Sequence, residues 1–146
     1  MRNTLIVFLF VSLYSCTGII SSERQKILNP INGEIIYFKY CKYDNGHDAT
    51  TISLDSIFKG TQEIYESGEK PIDEYIADYD YHLCFYKLSS DTLYVLCYTV
   101  FKVPRDCKKF KTKIQIVDQD IVEWNKLKNN YKKLGYTAFP ECNLEK

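Results

Sequence analysis

Residues 81–101 read YHLCFYKLSSDTLYVLCYTVF, and this stretch decides the fold. Two runs rich in aromatic and β-branched residues, 81–88 and 92–101, stand on either side of the turn-forming sequence Ser89-Ser90-Asp91. This pattern predicts a β-hairpin. Because both faces of each run are apolar, we expect the hairpin to lie at the centre of a sheet that is covered on both sides.

The length of the turn determines which residues of the hairpin face each other. A two- or four-residue loop centred on Ser90-Asp91 places Cys84 opposite Cys97, and a two-residue loop makes them a non-hydrogen-bonded pair, in which the Cα atoms come closest. Cys84 and Cys97 are therefore a candidate disulfide. The alternatives are two buried free thiols, or a three-residue loop that shifts the register. The pairing of three other cysteines stays open: Cys41, Cys107 and Cys142.

Three more strands are predicted outside the hairpin, at residues 34–43, 50–54 and 110–116. In the last of them apolar residues alternate with Lys111 and Lys113. This alternation is typical of a half-exposed edge strand whose charges oppose aggregation.

Two helices are predicted from the spacing of apolar residues. Pro71 suits the first position of a short middle helix. The apolar face of that helix would consist of Ile72, Tyr75, Ile76 and Tyr79.

A C-terminal helix is predicted to start at Asp118-Gln119-Asp120, where Asp120 forms a capping-box-like pair with Glu123. Gly135 is a natural stop. The residues of its apolar face are Trp124, Leu127, Tyr131 and Leu134.

Together these elements predict the fold class. We expect an α+β domain in which an antiparallel sheet of about five strands carries the short middle helix and the C-terminal helix, packed on one face. A chain of 146 residues is long enough for one hydrophobic core of this kind.

Residues 1–18 have the pattern of a secretory signal: Arg2, then an apolar run, then small residues. The run is too short to span a bilayer as a helix. Leu13-Tyr14-Ser15-Cys16 resembles the lipobox of bacterial lipoproteins, with a branched apolar residue three before the cysteine and a small one directly before it. Tyr14 departs from that pattern, because the position usually holds a small residue.

The resemblance implies cleavage before Cys16 and lipidation of Cys16. It divides the chain into a signal peptide at 1–15, a lipidated cysteine and polar tether at 16–32, and a single α+β domain at 33–146. Thr17 is not the Asp that resembles an inner-membrane retention signal, so the expected location is the bacterial cell envelope, at the outer membrane. The alternative is plain secretion after cleavage behind Gly18.

The charges of the chain balance, with 19 Lys+Arg against 19 Asp+Glu, so no net field recruits nucleic acid. One segment is strongly basic, and it would suit anionic lipid or polysaccharide. Its cations are Lys102, Arg105, Lys108, Lys109, Lys111 and Lys113. The alternative is that these lysines are solvated turn residues and protect a strand edge.

The sequence contains no nucleophile elbow, zinc-protease motif, phosphate loop or dinucleotide fingerprint, and no cysteine spacing of a zinc finger. His82 and Cys84 share a strand face but lie about 7 Å apart along it, too far for a nucleophile and its base. We therefore predict no catalytic residue, metal or cofactor, and an enzyme is disfavoured.

The leading hypothesis is a small, membrane-anchored lipoprotein with a non-enzymatic binding or structural role in the envelope. Its expected partners are the membrane, through the lipid, and an envelope protein or glycan, but no nucleic acid. Two alternatives stay open: a secreted binder of carbohydrate or anionic glycan that uses tyrosines, of which the chain has 13, and the basic turn, and a small hydrolase of unrecognised type.

Overall fold

The computed structural model describes residues 18–44, 46–58, 75–77, 83–98, 101 and 109–141. These residues form a β-rich fold of two four-stranded sheets and one helix. The first sheet contains, in order across it, β1 (Ile19–Leu28), β2 (Ile35–Tyr43), β3 (Asp48–Ser53) and β4 (Tyr75–Ala77). All of its strands are antiparallel to their neighbours.

The second sheet has the strand order β7-β6-β5-β8. Its strands are β5 (Cys84–Ser89), β6 (Thr92–Cys97), β7 (Lys113–Asp118) and β8 (Thr137–Phe139). β5 is antiparallel to β6 and β8, whereas β6 and β7 are parallel. The helix, α1, spans Ile121–Asn130 and follows β7.

The predicted hairpin is confirmed as β5 and β6. Ser89 pairs with Thr92 and Cys84 pairs with Cys97, so the loop has two residues, one of the two lengths that the register argument allows. Ser90 adopts a positive φ of 56°, which is the left-handed backbone that tight hairpin turns need.

The two sheets pack face to face around one core. Alternate residues of β2 point into it, among them Phe38, which is fully buried. The Phe38 ring stacks on Tyr86 of β5 at a centroid distance of 4.8 Å and meets Phe139 of β8 edge-on at 5.6 Å. These aromatic contacts join the sheets into a sandwich.

The helix α1 covers the outer face of the second sheet. Trp124 and Leu127 are buried there against Phe85. The predicted start is confirmed, because the Asp120 carboxylate accepts hydrogen bonds from the backbone N–H groups of Val122 and Glu123. The prediction is wrong for Leu134, which lies beyond the end of α1 and is 53% exposed.

The predicted single sheet of five strands is wrong, and so is the middle helix where the structure describes it. Tyr75 and Ile76 belong to β4 and pair with Ile52 and Thr51 of β3. Ala77 pairs with Thr50 in the same way, whereas Pro71, Ile72 and Tyr79 lie outside the described ranges. The apolar spacing fits one helical face, but tertiary pairing with β3 overrides this local preference.

Residues 19–28 form β1 rather than the predicted polar tether. They pair with β2 along almost the whole strand, from Ile19 opposite Tyr43 to Leu28 opposite Ile35. β1 is an edge strand, and Ile27 is its one buried residue. Because an edge strand faces water, polar residues suit it as well as they suit a tether.

Candidate functional site

The turn between β1 and β2 is fixed to the residues before β7. Asn29 is fully buried, and its Nδ2 donates a hydrogen bond of 3.0 Å to Oγ1 of Thr112. The Glu34 carboxylate accepts from the backbone N–H groups of Lys111 at 2.8 Å and Thr112 at 2.7 Å. Asn32 Nδ2 adds a bond of 3.3 Å to Thr112 Oγ1. We call Asn29, Asn32, Glu34 and Thr112 the clasp.

Three lysines of the predicted basic segment stand next to the clasp. Lys109, Lys111 and Lys113 are exposed, while the intervening Phe110 and Thr112 are buried. All three lysines are therefore exposed to solvent within five consecutive residues. We call Lys109, Lys111 and Lys113 the lysine row.

The lysine row is held on a rigid support. The ring of Phe110 packs edge-on against the ring of Tyr75, at a centroid distance of 5.5 Å. The backbone N–H of Lys113 donates a hydrogen bond of 2.9 Å to the carbonyl of Asp91. The other predicted cations of the segment, Lys102, Arg105 and Lys108, lie outside the described residues. The structure therefore brings together the described half of the predicted patch.

Cys84 and Cys97 face each other as predicted, and both are buried thiols that are not joined by a disulfide in this structure. The Cys97 Sγ lies 3.8 Å from the carbonyl oxygen of Val117. Burial, and secondly the neighbouring Cys97 sulfur, raise the pKa of Cys84 well above its ordinary value of 9.0. At neutral pH Cys84 is therefore a protonated thiol and a poor nucleophile.

This raised pKa predicts a loss of stability in alkali. The folded protein holds the Cys84 proton to higher pH than the unfolded chain, so the stabilisation is complete below pH 9 and declines as pH rises above it. Burial also raises the pKa of Tyr86 from 10.0, which adds to the decline. We expect the urea midpoint to fall between pH 9 and 10.5, and to fall less steeply in Cys84→Ala.

The matched control for this pH dependence is Leu93→Ala, at a fully buried position without a titrating group. That variant should lower the urea midpoint by a similar amount at every pH. An equal alkaline slope in wild type and Cys84→Ala would contradict the prediction.

Two buried titratable residues that the sequence analysis does not identify, Lys39 and Cys41, lie on the opposite face of β2. Lys39 is 3% exposed, and its Nζ donates a hydrogen bond of 2.8 Å to the carbonyl of Ile57. Two residues on, burial raises the pKa of Cys41, opposed by a hydrogen bond with Tyr43 and by the charge of Lys39. The sequence feature that could have indicated this buried lysine is its position at the centre of a nearly continuous apolar strand.

The outer face of the first sheet is covered at this point by residues 55–58. Besides Lys39, Arg24 binds this segment: its Nη1 donates to the carbonyl of Ser56 at 3.0 Å, and its guanidinium lies 5.8 Å from the ring centroid of Phe58. Both cations therefore hold the backbone that follows β3 in place. The buried lysine therefore has a structural role, because its ammonium group is hydrogen-bonded to the backbone of this segment.

Several predicted positions lie outside the described residues: Cys16 with the rest of the leader to residue 17, His82, Cys107 and Cys142. Within the described residues, no cluster of three or more His, Cys, Asp or Glu side chains is arranged to hold a metal ion. In that same part of the chain, no helix has the length and apolar character needed to cross a membrane.

Comparison of the chain with family models, with curated proteins and with solved structures finds no match.

Proposed function

We propose that this protein is a small exported lipoprotein of the bacterial envelope, anchored through Cys16, whose domain has a non-enzymatic binding role. The observation that supports binding is the lysine row, in which three exposed cations fall within five consecutive residues. Like charges this near in the chain repel one another, and a bound anionic partner would relieve the repulsion. The proposed partner is an anionic component of the envelope.

The lysine row is suited to binding because its backbone is already ordered. Glu34 accepts from the N–H groups of Lys111 and Thr112, and β7 continues the segment as part of the second sheet. A partner would order only the lysine side chains, at a cost of about 0.5–1.5 kcal/mol for each one immobilised. The rest of the surface would need no rearrangement.

The thiols support a non-enzymatic role. The pKa values of Cys41 and Cys84 are both raised by burial, so at neutral pH neither supplies the thiolate that a cysteine nucleophile requires. These buried cysteines are better explained as packing residues.

The proposed anchor lies close to the folded domain in sequence. The backbone N–H of Gly18 donates to Asp44 Oδ2 at 3.0 Å, and the Gly18 carbonyl accepts from Asp44 N–H at 2.9 Å. Only Thr17 separates Cys16 from Gly18, so the lipidated residue can be no more than about 7 Å from this point. A lipid on Cys16 would hold the Gly18 end of β1 at the membrane surface, and the β1–β2 turn, about 30 Å away at the other end of this ten-residue strand, would meet the same membrane when β1 lies along it.

Replacing Cys16 with alanine tests the anchor. In its native host, we expect the wild-type protein to incorporate a labelled fatty acid and to sediment with membranes, and Cys16→Ala to lose both properties. Two or more acyl chains give stable anchoring, at about 0.8 kcal/mol per buried CH₂, so the change in fractionation should be complete. The measurements are label incorporation and membrane fractionation.

The control for the anchor is Cys41→Ala, which removes a thiol from the folded domain and leaves the leader unchanged. It should keep the label. Equal label in wild type and Cys16→Ala would refute the proposal, and an intact mass beginning near Thr17 or Ile19 without added acyl groups would establish secretion instead.

A further inference from the structure

Exposed aliphatic side chains stand beside the lysine row. Leu28 is 56% exposed and Ile31 is 64% exposed, and Pro30 between them is also exposed. All three belong to the β1–β2 turn that the clasp joins to Lys111 and Thr112. We call Leu28, Pro30 and Ile31 the apolar tip.

The backbone of this turn is hydrogen-bonded within itself. The N–H of Asn29 donates to the Glu34 carbonyl, and the N–H of Gly33 donates to the Asn29 carbonyl, both at 2.9 Å. The N–H groups of Ile31 and Glu34 donate to the side-chain oxygens of Asn29 and Asn32. Pro30 has no N–H to satisfy.

These backbone hydrogen bonds determine whether the apolar tip can enter a nonpolar environment. A backbone donor without a partner is strongly disfavoured in hydrocarbon, so irregular segments rarely approach a bilayer core. Four donors of this turn already have protein acceptors, and its outermost side chains are aliphatic. The apolar tip can therefore leave water without breaking its own hydrogen bonds.

From this juxtaposition we infer that the apolar tip and the lysine row together form a docking surface for an anionic phospholipid bilayer. The inference rests on the proposed binding function and names its partner. The aliphatic side chains enter the interface between headgroups and acyl chains, and the three ammonium groups lie among the anionic headgroups. The clasp keeps both parts in one rigid unit.

The chemistry of the tip favours lipid over an anionic glycan. A glycan would pair with the lysines equally well, but Leu28 and Ile31 offer it neither a flat ring face nor a hydrogen-bonding group. Removing these side chains from water is favourable in proportion to their exposed apolar area, and acyl chains supply the apolar environment. A lipid surface therefore uses both halves of the site.

The test uses tryptophan fluorescence in the mature protein from its native host. Trp124 is the only tryptophan of the chain and is buried between α1 and the second sheet, so it gives a constant background. The reporter variant is Ile31→Trp, and the matched control is Val122→Trp, at a site 58% exposed on α1. Vesicles are made from brominated phosphatidylglycerol or, for comparison, brominated phosphatidylcholine.

We expect the phosphatidylglycerol vesicles to quench the added fluorescence of Ile31→Trp and to leave that of Val122→Trp unchanged. Each lysine near such a surface contributes about fivefold to binding, so changing Lys109, Lys111 and Lys113 together to Gln should lower the equilibrium constant for insertion of the apolar tip about a hundredfold, measured as loss of Ile31→Trp quenching whether or not acyl chains hold the protein on the vesicle. The matched triple change of Lys126, Lys132 and Lys133 to Gln, all exposed, should have little effect. Added salt should weaken wild-type docking.

The inference is overturned if the Ile31→Trp signal is not quenched, or if quenching is equal in both lipids and survives loss of the lysine row. Binding of a soluble anionic polysaccharide without lipid quenching would assign the surface to a glycan. Lipid on Cys16 is read separately from the intact mass, so an unanchored protein that still docks would refute only the proposed anchor. A midpoint of thermal unfolding equal to that of the wild type verifies that each variant is folded.

Discussion

Replacing Phe38 with alanine is expected to lower the free energy of unfolding by about 4 kcal/mol. Phe38 is fully buried between the sheets, where its ring contacts Tyr86 and Phe139. Alanine would remove these aromatic contacts and leave a cavity walled by both sheets. Because the strands that form this cavity are fixed by their own ladders, the walls can collapse only partly.

Urea unfolding at pH 7, followed by circular dichroism, measures this change from the midpoint and slope. Phe38→Leu keeps most of the apolar volume and should lose about half as much stability. The surface control is Leu134→Ala, which should stay within about 0.5 kcal/mol of wild type because Leu134 is largely exposed. A loss below about 1 kcal/mol for Phe38→Ala would show that this ring does not join the sheets.

The elements predicted correctly are those whose signals are local. The two-residue loop restricts the β5–β6 hairpin to one register, and Ser90 adopts the backbone that this loop requires. The start of α1 depends on the Asp120 side chain and two N–H groups within three residues of it. Signals of this range can be read directly from a sequence.

The number of sheets could not be predicted in the same way. Apolar residues on both faces of the hairpin show that each face is covered, but they do not identify the cover. One face meets the first sheet through Tyr86, and the other meets α1 through Phe85. A single five-stranded sheet with helices would satisfy the same pattern.

The sequence analysis does not predict the edge strands β1 and β4, because a strand at the edge of a sheet needs no distinctive residue composition. β1 consists largely of polar and charged residues that face water. β4 is only three residues long, and its pairing with β3 is a long-range contact. Such strands are specified by the neighbour they join rather than by their own periodicity.

In the candidate site, too, the local feature could be predicted from the sequence and the long-range contact could not. Composition alone drew attention to Lys109, Lys111 and Lys113. The clasp could not be found this way, because Asn29 and Thr112 are separated by 83 positions in the chain. Without that contact nothing in the sequence relates the apolar tip to the lysines, and it is their juxtaposition that gives the surface its chemical character.

Oxidation of Cys84 and Cys97 to a disulfide is expected to raise the free energy of unfolding by about 3 kcal/mol, because it closes a short loop in the unfolded chain. The two residues are paired across antiparallel strands at a non-hydrogen-bonded position, where Cα atoms are close enough for a bridge. With glutathione disulfide as oxidant, the two thiols lose two protons and two electrons, and the oxidant becomes two glutathione thiols. For a domain of this size, we expect the midpoint of thermal unfolding to rise by about 10 °C.

The measurement compares thermal unfolding after incubation with glutathione disulfide and after incubation with dithiothreitol, and peptide mapping identifies the cysteines that are joined. Because both thiols are buried, oxidation of the folded protein should be slow, whereas refolding in the presence of the oxidant should form the bridge readily. Cys84→Ala with Cys97→Ala should remove the difference between the two treatments. A bridge that forms during refolding but lowers the midpoint would show that the close Cα pairing does not place the two sulfur atoms in an unstrained geometry, and that the two cysteines serve the core better as thiols.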